Sequence, residues 1–133
     1  MTASAVYEGV SSSIALARDF AGDFLDRVRT VHGVPERAAW VVLLVVSELV
    51  TNVCKYAPGL CRLDLAADEE TVTVSVRDSS PVLPVPMDLD AERVGQHGLE
   101  IVAAVCREFD VVTEPTGKRT RAVVSLVDET APA

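Results

Sequence analysis

Glu48, Asn52 and Lys55 interrupt an otherwise apolar stretch that includes Leu44, Val45, Leu49, Val50, Val53 and Cys54. Their spacing, i, i+4 and i+7, stacks them on one face of a helix. A helix that is apolar nearly all round is buried, and a buried carboxylate in it is costly unless it is paired or bound to a cation. A solvated stripe with Glu48–Asn52 and Asn52–Lys55 side-chain contacts is the other reading of the same spacing.

Two further clusters lie downstream. Arg77-Asp78-Ser79-Ser80-Pro81 falls where a valine-rich strand ends and a long loop begins. An aspartate there commonly caps turn N–H groups. Gly95-Gln96-His97-Gly98-Leu99 reads as a glycine-bearing turn running straight into a helix. Bare N–H groups at a helix start, with glycines that permit close approach, suit phosphate.

Taken in order, Glu-x3-Asn-x2-Lys on a helix, Asp-x-Ser-x3-Pro after a strand and Gly-x2-Gly-Leu before a helix resemble the GHKL (Bergerat-fold) superfamily of gyrase, heat-shock chaperone, histidine kinase and MutL. Ser47-Glu48-Leu49-Val50-Thr51-Asn52 with Asp78-Ser79-Ser80 is most similar to the short bacterial anti-sigma-factor serine kinases, and the resemblance runs from about residue 8 to residue 127.

The resemblance implies ATP and Mg²⁺ as cofactors. It makes Asn52 the Mg²⁺ ligand, Glu48 the catalytic acid that polarises the attacking hydroxyl, and Lys55 a phosphate contact. Asp78 accepts from the adenine amino group, and Ser80 stands where the wider superfamily has glycine, narrowing the space beside the base. Gly95, Gly98 and Leu99 belong to the second glycine box, in which His97 either contacts phosphate or caps the third helix. Residues 79–97 form a short ATP lid, and Thr120 supports adenine through water. The implied function is an anti-sigma factor with serine/threonine protein kinase activity, whose partners are a sigma factor and an anti-anti-sigma protein. The alternatives are an ATP-sensing binding module without catalysis and a degenerate domain without nucleotide. A homodimer through the N-terminal strand and first helix is also implied.

These residues need elements to hold them. A weak edge strand over 4–10 precedes a helix from Ser12 or Ser13 to about Val31, with Ile14, Ala17, Phe20, Ala21, Phe24, Leu25 and Val28 at helical spacing. Pro35-Glu36 starts a second helix and Pro58-Gly59 stops it near Ala57. Leu60–Ala67 and Thr71–Val76 alternate as a hairpin. A third helix presents Leu99, Ile101, Val102, Val105 and Cys106, and strands Phe109–Thr113 and Arg121–Val127 flank a connection at Pro115–Lys118. The order β, α, α, β, β, α, β, β predicts a two-layer α+β sandwich, a mixed, mostly antiparallel sheet covered on one face by three helices.

Composition narrows the function classes. At 133 residues with 49% apolar, one domain with a core over about 8–127 and a frayed tail after Asp128 is expected. A net charge of −8 disfavours a nucleic-acid partner. The apolar run Ala38–Val46 covers about half of a membrane span before Glu48. No signal-peptide pattern opens the chain, so a soluble cytoplasmic protein is expected. Cys54, Cys61 and Cys106 lack disulfide or zinc spacing and are read as small core residues. Neither His32 nor His97 has the surroundings of a phosphoacceptor, which excludes a complete sensor histidine kinase.

Overall fold

The computed structural model describes residues 1–79 and 93–127, with 93–98 as backbone only. Its elements are β1 (Thr2–Tyr7), α1 (Ser12–Val28), α2 (Glu36–Tyr56), β2 (Cys61–Ala67), β3 (Thr71–Asp78), α3 (Arg93–Val105), β4 (Glu108–Glu114) and β5 (Gly117–Ser125). The order matches the expected one. The five strands form one sheet, β1-β2-β3-β5-β4, in which every neighbouring pair is antiparallel, so the parallel component of the expected sheet is not found among the described strands.

Alternation along the strands decides which face is covered. Val72, Val74 and Val76 of β3 lie on the same face as Cys61, Leu63 and Leu65 of β2 and Ala122 and Val124 of β5, all almost fully buried. The helices pack on that face. Helix α2 contributes nine buried residues, from Ala38 to Val53, and α1 adds Ala17, Ala21, Phe24, Leu25 and Val28. Each fully buried Val, Leu or Phe stabilises the fold by about 1.5–3 kcal/mol. By length and composition α2 is apolar enough to cross a membrane; here it packs against α1, α3 and the sheet as the central core helix.

The opposite face carries a charge lattice instead of helices. Arg77 reaches Asp64 at 3.1 Å and Glu114 at 3.2 Å, and Arg121 reaches Glu108 and Asp110, both at 2.9 Å. A one-sided antiparallel sheet of this kind buries one face and solvates the other.

Several boundaries differ from expectation. Strand β1 is Thr2–Tyr7 rather than 4–10, because Met1 pairs with Ala67 and extends the ladder while Gly9 turns the chain with φ 68°. Helix α1 stops at Val28, and neither Ser12 nor Ser13 caps it: Ser11 precedes the helix without a side-chain cap. Strand β5 begins at Gly117, not Arg121, since the β4–β5 connection is only Pro115 and Thr116. In α3 Val102 is fully buried, whereas Ile101 is 49% exposed and does not join the apolar face. Of the cysteines only Cys61 is buried; Cys54 and Cys106 are half-buried.

Burial pushes the Cys106 thiol up to about 11 and also raises Cys54, Cys61 and Tyr7. In each case the fold prefers the neutral form. A raised acid keeps its full stability contribution below its unfolded value and loses it as pH climbs through the folded value. Stability is therefore expected to be flat from neutral pH to about 9, the ordinary thiol value, and to decline towards 11. Urea midpoints across that range check this, and Cys106→Ala is expected to make the decline shallower.

Candidate functional site

Extending the valine alternation of β3 by one step puts Asp78 on the helix-covered face, at the last residue of the strand. Its cross-strand neighbours are Cys61 in β2 and Lys118 in β5. Lys118 Nζ lies 2.9 Å from Asp78 Oδ2 and donates a hydrogen bond to Oδ1 at 3.2 Å. The lysine and aspartate side chains are 4% and 3% exposed. Lysine is almost never so buried without a partner, and here the ammonium straddles the carboxylate. Thr120, two residues along β5 on the same face, is also buried.

Backbone geometry crowds this end of the sheet. Among the described residues the glycines with left-handed φ are Gly9 (68°), Gly59 (135°) and Gly117 (156°). A side chain on Gly9 would strike the backbone of Gly59. One on Gly59 would meet Ser79 Oγ at 3.8 Å, and one on Gly117 would run into the Asp78 carbonyl oxygen. At Gly9 and Gly117 only a residue without Cβ allows so close an approach, and at Gly117 the backbone approached is that of Asp78 itself.

Helix α2 brings its polar stripe to the same end. It stops at Tyr56, and a short link leads to Cys61, directly opposite Asp78. Glu48 and Asn52 are half-buried and Lys55 is exposed. Among the described residues no hydrogen bond joins Glu48 to Asn52 or Asn52 to Lys55, so the stripe is not held by the internal contacts that its spacing allows. Helix α3 packs against α2: its C-terminal Ala104 and Val105, with Cys106 just beyond, line a cavity with Ala38 and Val41 near the start of α2.

Three expectations change. Gly95–Leu99 is not a turn before the helix but part of α3, which already begins at Arg93. Each glycine in a helix interior costs about 1 kcal/mol relative to alanine, and packing of Leu99, Val102 and Val105 against the core offsets it. Asp78, which its strand-end position alone would make a turn cap, is the end residue of β3 and is paired with Lys118 in β5. Lys118 is not in a connection but in β5, and is the residue that sequence reasoning missed. The available signal was its rarity, one of only two lysines in the chain, beside a glycine at a strand start. Ser80 and most of the expected lid, 80–92, lie outside the described residues, as does the side chain of His97; the tail after Asp128 does too.

Chemically, the end of the sheet offers an acceptor carboxylate and a donor ammonium side by side. One helix away are a carboxylate, an amide and an amine in a row. The described residues contain no group of three His, Cys, Asp or Glu side chains able to cage a metal. A cation here would depend on one or two oxygen donors, such as Asn52 Oδ1, with the remainder supplied by a ligand. That donor set suits Mg²⁺, which usually keeps waters and substrate phosphates rather than a full protein cage.

Comparison with known proteins agrees with this architecture. A search of curated proteins gave no match. The family model described as the histidine kinase-like ATPase domain matches residues 10–124, a span that runs from just after β1 to within β5 and takes in Glu48, Asn52, Asp78, Lys118 and Thr120. With three helices on one face of an antiparallel sheet and a family match over nearly all of its length, the chain belongs to the histidine kinase-like ATPase domains of GHKL type, a family that implies ATP binding.

Proposed function

We propose that this domain binds Mg-ATP at the Asp78 end of the sheet and works in bacterial transcription control as an anti-sigma factor with serine/threonine kinase activity. The observation that carries this reading is the buried Asp78–Lys118 pair at the end of the sheet, opposite Cys61, to which the last turns of α2 with the Glu48–Asn52–Lys55 stripe lead. The adenine amino group donates to Asp78, the phosphates lie towards Lys55 and the α3 glycines, and Asn52 Oδ1 is the protein oxygen offered to Mg²⁺. The metal supplies charge neutralisation at the phosphates, so few protein groups are needed for phosphoryl transfer.

Glu48 accepts the proton of a substrate serine or threonine hydroxyl. The hydroxyl oxygen forms a bond to the γ-phosphorus, the bond to the bridging oxygen breaks, and ADP leaves with that electron pair. The protein substrate is an anti-anti-sigma partner, and a sigma factor is the second partner. The similarity of the Ser47–Asn52 and Asp78–Ser80 motifs to the short anti-sigma-factor kinases supports this choice. Homodimerisation through β1 and α1 fits the position of β1 at the sheet edge and the exposure of Val6 and Leu16. A cytoplasmic location follows from these partners.

Calorimetry with Mg-ATP is expected to show binding by the wild type. Asp78→Asn should weaken it by at least about tenfold, the loss typical of a hydrogen bond to a charged group. Absence of heat in the wild type would remove the reading.

Glu48→Gln is expected to lower phosphate transfer from labelled ATP by about 10²–10⁴-fold, the usual contribution of a general base, with ATP affinity nearly unchanged. Equal transfer in the variant would remove the catalytic role of Glu48, whereas a wild type that binds Mg-ATP without transferring phosphate would leave an ATP-sensing module, recognised by partner affinity that changes with Mg-ATP.

A further inference from the structure

We propose that Lys118 is a base-reading residue: with Asp78 it presents a donor beside an acceptor, matched to the N1 and amino positions of adenine. The proposal rests on the reading that Asp78 receives the base of ATP.

The buried pair is poorly explained by stability alone. Exchanging a buried ion pair for apolar side chains of similar volume is often neutral or stabilising. The neighbours of this pair on the covered face, Cys61 and Val76, would accommodate such an exchange. Yet one of the chain's two lysines lies here, and the backbone at left-handed Gly117 closes on Asp78 more tightly than any residue with a Cβ would allow. Asp78, Lys118 and Thr120 are also three of the four buried polar or charged residues among those described, gathered at one end of β3 and β5. Buried polar groups are costly unless paired, so three of them collected at one place call for a role beyond packing.

The geometry specifies what the pair can read. Nζ and Oδ2, 2.9 Å apart, are spaced for two parallel hydrogen bonds to neighbouring atoms on the edge of a ring. An ammonium carries three protons and accepts none, and both contacts of Lys118 among the described residues are to Asp78, which leaves a proton to donate. The edge of adenine shows an amino donor next to the N1 acceptor, complementary to Asp78 and Lys118 in turn. Guanine and hypoxanthine show a carbonyl oxygen and an N1–H instead. Acceptor then faces acceptor and donor faces donor, so both contacts fail together.

The probe is 1-deaza-ATP, which keeps the amino group and replaces N1 with C–H. Calorimetry on the whole chain is expected to show wild type preferring ATP over 1-deaza-ATP by about tenfold or more, the magnitude of a hydrogen bond to a charged group. Lys118→Met should bind ATP and 1-deaza-ATP about equally. Because that variant strands a buried carboxylate, Asp78→Asn/Lys118→Met, which removes both charges, is measured beside it, with circular dichroism to verify folding. It too should lose the preference. A merely structural role for Lys118 would change both affinities and leave their ratio intact. No preference in the wild type, or an unchanged preference in a folded variant, overturns the proposal while ATP binding stands. Failure of the wild type to bind either nucleotide removes the ATP reading and this proposal with it.

Discussion

Helix α2 has apolar side chains on nearly every face, and burying them is the constraint that shapes the molecule. Its 21 residues contact α1 on one side, α3 on another and the central strands β3 and β5 beneath. A helix this apolar is stable in water only when it is enclosed. Burial continues through Leu49, Val50 and Val53, so the polar stripe of Glu48, Asn52 and Lys55 occupies the helix surface that packing leaves in the last turns. The position of the stripe is thus a consequence of packing as much as of its own chemistry.

The same enclosure explains why the sheet's polar residues sort as they do. On the open face charges are half-exposed and interlinked, Arg77 with Asp64 and Glu114, Arg121 with Glu108 and Asp110, and exposed pairs of that kind contribute little each. On the covered face the only ion pair described is Asp78–Lys118, and it lies at the end of the strands where the helices cease to be purely apolar. Burial raises what is at stake there. A charge left alone in that position costs several kcal/mol, whereas the intact pair is close to neutral in stability.

Much of this was legible in the residues. Strict alternation at Val72, Val74 and Val76 and the helical spacing of Ala17, Ala21, Phe24 and Val28 carried the two-layer sandwich, because one periodic face means one buried face. The order of Glu48, Asn52 and Asp78 carried the family. What escaped notice depends on distant parts of the chain. Lys118 beside Pro115, Thr116 and Gly117 has the composition of a turn, and only the pairing of β5 with β3 reveals it as a strand residue whose partner is 40 positions away. The start of α3 escaped for a related reason. Glycines at 95 and 98 argue locally for a turn, and the packing that overrides them comes from the core.

The register of β3 against β5 has a consequence for how the molecule comes together. Strands β2–β3 and β4–β5 are each local hairpins with short connections, but Asp78 belongs to one hairpin and Lys118 to the other. Neither hairpin alone contains the pair; it exists only along their seam. Such long-range closure is the slow part of folding, since its entropic cost precedes its reward. A ligand held at this seam would distinguish the finished chain from any half-assembled one, and by mass action it would stabilise only the finished chain.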